Sequence, residues 1–162
     1  MTDFDDTLRR AQALFTEAYQ LQMAGHLDAA AERYRASIAC HPTAEAHTFL
    51  GWTYSFQGRL DDAIEECKKA ILVDPDFGNP YNDIGSYLLK QGKLDDAIPW
   101  LERAIAAKRY EPRHFPHCNL GRVYWAKGLL NRAIEEFERA LEIDPQSEFA
   151  RGALEAVRKA LQ

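Results

Sequence analysis

Cysteine is scarce in this chain and long apolar runs are missing, and each shortage removes a class of protein. Cys40, Cys67 and Cys118 are an odd number in 162 residues, too few for a disulfide framework and in keeping with a reducing compartment. No apolar run approaches the roughly 20 residues that a bilayer-crossing helix needs. The start Thr2-Asp3-Phe4-Asp5-Asp6 is acidic where a secretory signal is basic, so a cytoplasmic location is expected and no membrane partner. Basic charge is in deficit as well: 20 Lys plus Arg stand against 25 Asp plus Glu, a formal net charge of −5. With the basic residues scattered, nucleic acid is not an expected partner either. No phosphate-cradling glycine loop, zinc-protease signature or nucleophile elbow is present. Nor is there a linker or low-complexity tract, and the length suits one continuous core.

What the chain has instead is one spacing, repeated. Gly25, Gly58, Gly92 and Gly128 are each followed five residues later by Ala30, Ala63, Ala97 and Ala133, with 33, 34 and 36 residues between successive glycines. Periods of this size belong to solenoids, whose function lies on surfaces shared between repeats. Asp28, Asp61, Asp95 and Asn131 recur three residues after the glycines, where free N–H groups and the positive dipole end of a helix favour short polar side chains. Ser37, Ala70, Ala104 and Ala140 place a second small residue on the face of the alanine column, so two helix axes can approach closely. Upstream of each glycine a second helix is marked by Ala18, Gly51, Gly85 and Gly121. Pro42, Pro75, Pro112 and Pro145 close the four units.

Leu50-Gly51-Trp52-Thr53-Tyr54 with Gly58, Ala63, Ala70 and Pro75, and Leu120-Gly121-Arg122-Val123-Tyr124 with Gly128, Ala133, Phe137, Ala140 and Pro145, resemble the tetratricopeptide repeat. The resemblance covers about Ala11 to Pro145. It implies an all-α fold, a right-handed α-solenoid of four helix pairs over about 11–43, 44–77, 78–113 and 114–145. The first repeat departs most, with Glu17 where the others have Leu50, Ile84 and Leu120. Ala150, Leu154, Val157 and Leu161 then outline an amphipathic capping helix over 146–162, while residues 1–10 read as a lead-in, frayed over its short acidic stretch from Met1 to Asp6.

Candidate chemistry is thin. His114-Phe115-Pro116-His117-Cys118 resembles a ligand cluster, but a fourth ligand is lacking, and His47 and His117 fall in the column of Leu14 and Tyr81, on the packing face. Adjacent carboxylates such as Asp61-Asp62 and Glu65-Glu66 point about 100° apart on a helix and do not converge on one atom. Cys67 shares a column with Tyr34, Leu101 and Phe137, a packing position. No catalytic residue, metal site or cofactor is expected, and the chain reads as a non-enzymatic protein.

Winding the first helix of the second repeat at 100° per residue from His47 puts Leu50, Gly51 and Tyr54 on the packing face and Phe49, Trp52 and Phe56 opposite. Phe15, Tyr19 and Met23 hold the comparable side of the first repeat. In the later repeats the same side carries Asp83, Ser86 and Lys90, then Asn119 and Arg122, with Asn82 and Cys118 at its margin. The resemblance places these residues in a concave groove that binds peptides or partner helices. The expected groove is graded, apolar at one end and polar at the other, and would suit an amphipathic segment. The expected role is adaptor or assembly factor, the alternative a scaffold that self-associates through the same surface. Trp100 is a second possible contact. Arrays of this family that hold acidic chaperone tails use a clamp of Lys, Asn, Asn, Lys and Arg. The matching positions here are Phe15, Tyr19, Phe49, Asn79 and Asp83, or Thr48, Trp52, Asp83, Phe115 and Asn119, and neither set can clamp carboxylates.

Overall fold

A computed structural model describes residues 2–162, which form nine helices: α1 (Asp3–Met23), α2 (Leu27–Cys40), α3 (Ala44–Phe56), α4 (Leu60–Val73), α5 (Asn79–Lys90), α6 (Leu94–Ala106), α7 (His114–Ala126), α8 (Leu130–Ile143) and α9 (Glu148–Ala160). They pack as four antiparallel pairs, α1/α2 to α7/α8, each laid on the next, with α9 against α8. The result is an all-α helical repeat solenoid.

The turn glycines join the two helices of each pair. All four adopt φ between +75° and +84°, a region that costs a residue with a Cβ strain and glycine none. The residue after each glycine then reaches five positions back, His26 to Leu21, Arg59 to Tyr54, Lys93 to Leu88 and Leu129 to Tyr124, at 2.8–2.9 Å. This is the Schellman pattern that satisfies the last carbonyls of a helix. The acidic column after the glycines links repeats. Asp28 accepts from Gln57 and Asp61 from Gln91, while Asp95 pairs with Lys127, and each donor is the C-terminal cap residue of the next repeat's first helix.

Close approach within each pair depends on the second small column. Ala18, Gly51, Gly85 and Gly121 face Tyr34, Cys67, Leu101 and Phe137, all four of which are fully buried. A Cβ on Gly85 would lie 2.5 Å from Leu101 Cγ, and one on Gly121 2.5 Å from Phe137 Cε1, far inside van der Waals contact. Ala30, Ala63, Ala97 and Ala133 complete the seam and are also fully buried.

Both ends differ from expectation. The lead-in foreseen over residues 1–10 is helical from Asp3 onward. Thr2 and Asp5 form a reciprocal capping box, and Asp3, Asp5 and Asp6 occupy the first turn, where carboxylates stabilise the N-terminus; Met1 lies outside the described residues. In α9, Ala150, Leu154 and Val157 are buried against the fourth repeat. Leu161 lies past the end of the helix and is half exposed.

The lengthened third repeat folds back on itself. Arg109 donates its N–H to Asp76 O at 3.0 Å and accepts from Gly78 N–H at 2.9 Å, and its guanidinium reaches Asp74 and Glu45 over the ring of Phe77. This tie seats Tyr110, 3% exposed, on the start of α5, where Gly78 leaves room for it.

Candidate functional site

First helices touch one another in a row, α1 on α3, α3 on α5 and α5 on α7, whereas the second helices make no such row. An array that is tighter along one set of helices curves toward it, so the side chains directed away from the packing seam of α1, α3, α5 and α7 share one groove. Phe15, Phe49, Trp52 and Phe56 run along it as a continuous ladder, with ring centroids 5.3, 5.8 and 5.1 Å apart and Tyr19 edge-on to Phe49 at 5.8 Å. These contacts on Phe49 are edge-to-face and that of Trp52 with Phe56 is tilted, and such pairings hold aromatic rings in place. Phe15 and Phe49 also lean on buried Tyr34 and belong partly to the core. Trp52 is partly open, and Tyr19, Met23 and Phe56 are exposed.

Past the ladder the groove turns polar. Asn119 donates to Asn82 Oδ1 at 2.9 Å, and Arg122 donates to Asn119 Oδ1 at 3.1 Å. The Asn119 amide is thus held from both sides against the buried Asn82, while Ser86 sits half-buried one turn further along α5. Asp83 points into a 290 Å³ pocket bounded by Phe49, Trp52, Tyr110 and Phe115, with Asn82 beside it. It has no hydrogen bond or ion pair among the described residues. Desolvation pushes its carboxyl up to about 7, with Lys90 the one opposing influence. Sequence patterning placed Asp83 on this surface but gave no sign of its isolation, because Tyr110 and Phe115 come from the lengthened segment and the start of α7.

The simple gradient does not hold. Beyond Arg122 a cleft of 790 Å³ is lined by Leu89, Trp125, Ala126, Phe149, Gly152 and Ala153 among others, and Phe115, Trp125 and Phe149 are all exposed. The polar centre therefore lies between two apolar stretches. The second was hidden in the sequence because α9 supplies half of it, and α9 reads there only as a cap. Trp100, the second possible contact, lines a cleft with Pro99, Asp95 and Lys68. It packs against Tyr81, and Arg103 covers both rings.

The histidines have structural partners. His47 Nδ1 lies 2.8 Å from Glu66, and His117 Nδ1 lies 2.8 Å from Glu136, in equivalent positions of repeats two and four. Lys69 and Arg139 bind the same carboxylates from one turn away. Burial would raise the Glu66 carboxyl, but its hydrogen bonds to His47 and Lys69 more than offset this and hold it below its usual value. His114 faces Asp144 at 3.5 Å, and among the described residues no three candidate ligands gather as a metal would require. Cys40, Cys67 and Cys118 are unpaired. Burial holds the Cys67 thiol well above its usual range and pushes Cys118 up to about 11, so neither presents a thiolate near neutral pH. No helix among the described residues is long and apolar enough to cross a membrane.

Comparison with known proteins fits this geometry. The chain is 28% identical over 102 residues to small glutamine-rich tetratricopeptide repeat-containing protein 2 of Mycosarcoma maydis, covering 62% of this chain and 29% of that one. It spans between 12% and 29% of the length of the curated relatives it matches. The crystal structure of MamA superposes with a TM-score of 0.74 at 28% identity, over 88% of this chain and 83% of that one. The first repeat domain of Spaghetti (RPAP3), bound to the HSP90 peptide SRMEEVD, superposes at 0.67 with 25% identity, over 74% and 93%. Two tetratricopeptide repeat profiles match residues 44–77 and 76–146, and with the helix pairs and turn glycines in the same register, the chain belongs to the tetratricopeptide repeat family.

Proposed function

We propose that the chain is a non-enzymatic protein-interaction module that binds a peptide or partner helix along the groove of its first helices, as an adaptor or assembly factor. The observation that carries this reading is the ladder from Phe15 to Phe56, a fixed aromatic surface left open on a folded chain. Exposed apolar patches of this kind mark binding surfaces. The relatives' fold and the peptide held by the RPAP3 domain support the interaction role. The fixed amides of Asn82 and Asn119 suit an extended backbone, and the apolar stretches on either side suit its larger side chains.

The test is Trp52→Ala. Trp52 packs on Phe49 and Phe56, outside the buried seam, so its loss should weaken partner capture by about 2 kcal/mol or more and leave the melting temperature nearly unchanged. Capture that persists while the fold collapses would make the ladder structural. Self-association through the same groove is separated by a solution mass measurement, since only a homotypic scaffold should lose its oligomer with Trp52.

A further inference from the structure

The pocket that holds Asp83 has a composition that selects its guest. Its walls combine the rings of Phe49, Trp52, Tyr110 and Phe115 with Pro112 and the uncharged Thr48, Asn79 and Asn82, no cation lines it, and the one charge is a carboxylate with no hydrogen bond or ion pair among the described residues. Aromatic faces carry negative potential and attract cations. A neutral apolar side chain placed here would leave a carboxylate desolvated and uncompensated, and an acidic one would add repulsion. Neither neighbouring cation bonds to Asp83: Arg122 donates to Asn119, and Lys90, which favours the ionised carboxylate only through space, lies exposed over the ring of Tyr87 at 5.8 Å. The volume of 290 Å³ stands just below the range of about 300–1,000 Å³ usual for small-molecule sites, a size for one long side chain.

We propose that this pocket receives the cationic tip of an arginine side chain carried by the groove's ligand, with the Asp83 carboxylate as its counter-charge and Trp52 and Phe115 stacked on its faces. The inference rests on the groove being the binding surface and adds a chemical requirement to it. It also gives the groove a preference opposite to that of the RPAP3 domain, whose bound peptide is acidic. A planar guanidinium suits the site because it can bond a carboxylate through two N–H groups while its faces lie on aromatic rings.

Protonation of Asp83 supplies an independent signature. Its surroundings contribute no other group that titrates near neutrality. Burial keeps the Cys67 thiol of α4, the Tyr87 hydroxyl of α5 and the Tyr110 hydroxyl protonated well above pH 7, Lys90 is the basic group of α5 that acts on Asp83, and α3 and α7 present Phe49, Trp52, Phe115 and Asn119. A bound cation favours the ionised carboxylate, so affinity should rise as pH passes upward through about 7.

The experiment follows the Trp52 indole N–H resonance during titration with acetylarginine amide, using acetylcitrulline amide as the neutral isostere. Arginine at pH 8 should give a saturable shift. Citrulline, pH 5.5 and Asp83→Asn should each weaken it about tenfold, and Phe115→Leu, at an exposed position where folding is not at risk, should weaken it several-fold. Equal shifts with citrulline, or an unchanged affinity in Asp83→Asn, would overturn the assignment. Selection from a random displayed peptide library separates the two levels. Peptides that perturb Trp52 but carry no basic residue would sink the arginine pocket and leave the groove reading standing. Saturable arginine binding with no peptide on the ladder would do the reverse.

Discussion

One substitution at two glycines should shift stability in opposite directions. In α5, a Cβ on Gly85 would sit 2.5 Å from Leu101 Cγ and nearer still to Leu101 Cδ2, where carbon atoms normally keep about 3.5–4.0 Å apart. Leu101 is fully buried among close-packed neighbours, so relieving the clash requires α5 and α6 to move apart or Leu101 to repack. Overpacking of this kind costs about 1–3 kcal/mol, and the better helix propensity of alanine returns at most about 1 kcal/mol. Gly85→Ala should therefore destabilise by roughly 1–2 kcal/mol, a drop in Tm of about 2–8 °C for a chain of this size. In α9, nothing lies within 4 Å of a Cβ on Gly152, and the same change should stabilise by about 0.5–1 kcal/mol. Urea unfolding followed by circular dichroism reads both variants, with m values checked because repeat arrays can lose two-state behaviour. A Gly85→Ala protein as stable as the wild type would mean that the α5/α6 seam is looser than the geometry requires, and the reasoning from the small column would fail with it.

Other outcomes follow from the same structure. Deleting residues 147–162 uncovers the apolar faces of Phe137 and Ala140 that α9 covers, so the truncated chain should melt lower or aggregate, and a monomer of equal stability would make α9 a mere appendage. Glu66→Ala leaves His47 without its partner inside the second pair and should cost about 1–3 kcal/mol by urea titration. Because the Glu66 carboxyl is held below its usual value, its contribution is present above about pH 4.5 and fades as the solution is acidified through the lowered pKa, so the penalty should shrink at pH 3. Asp83 has the opposite sign. Its folded carboxyl titrates near 7 against 3.8 unfolded, so the wild type should lose stability between pH 4 and pH 7, and Asp83→Asn should be the more stable protein at pH 8 and equal at pH 4. The full shift corresponds to roughly 4 kcal/mol, but the side chain is partly open to groove water and a gain of about 1–2 kcal/mol is expected; no gain at pH 8 would show the carboxylate to be well solvated.

The repeat order was legible because its causes are local. A glycine at positive φ, a small residue every repeat at the helix seam and a proline at the hand-over are single-position demands, and each recurs at a fixed distance. The ladder was legible for a related reason, since winding one helix is enough to separate Phe49, Trp52 and Phe56 from Leu50, Gly51 and Tyr54. What escaped depends on elements far apart in the chain. Asp28 to Gln57 and Asp61 to Gln91 join different repeats. The pairing of His47 with Glu66 crosses from one helix to its partner, so the column gave His47 a packing face but no partner. The short acidic start reads as frayed in the sequence, whereas Thr2 and Asp5 cap a helix there and place those acidic residues at its positive end.

The lengthened third repeat shows how one irregularity can matter more to function than the regular columns around it. A perfect repeat would bring α7 onto α5 as α5 meets α3, and the inner surface would carry only what the first helices supply. The extra residues before α7 let the chain return over the start of α5, where Arg109 pairs with the backbone of Asp76 and Gly78 and with the side chains of Asp74 and Glu45. That fixes Tyr110 beside Asp83, closing the pocket on the side that α3 and α5 leave open. Solenoids gain affinity by repeating a surface and gain selectivity by breaking the repeat. Here the break falls at the junction between the aromatic ladder and the amide pair of Asn82 and Asn119, so under the proposed groove binding a ligand would pass over Asp83, the position proposed to select the charge of its side chain.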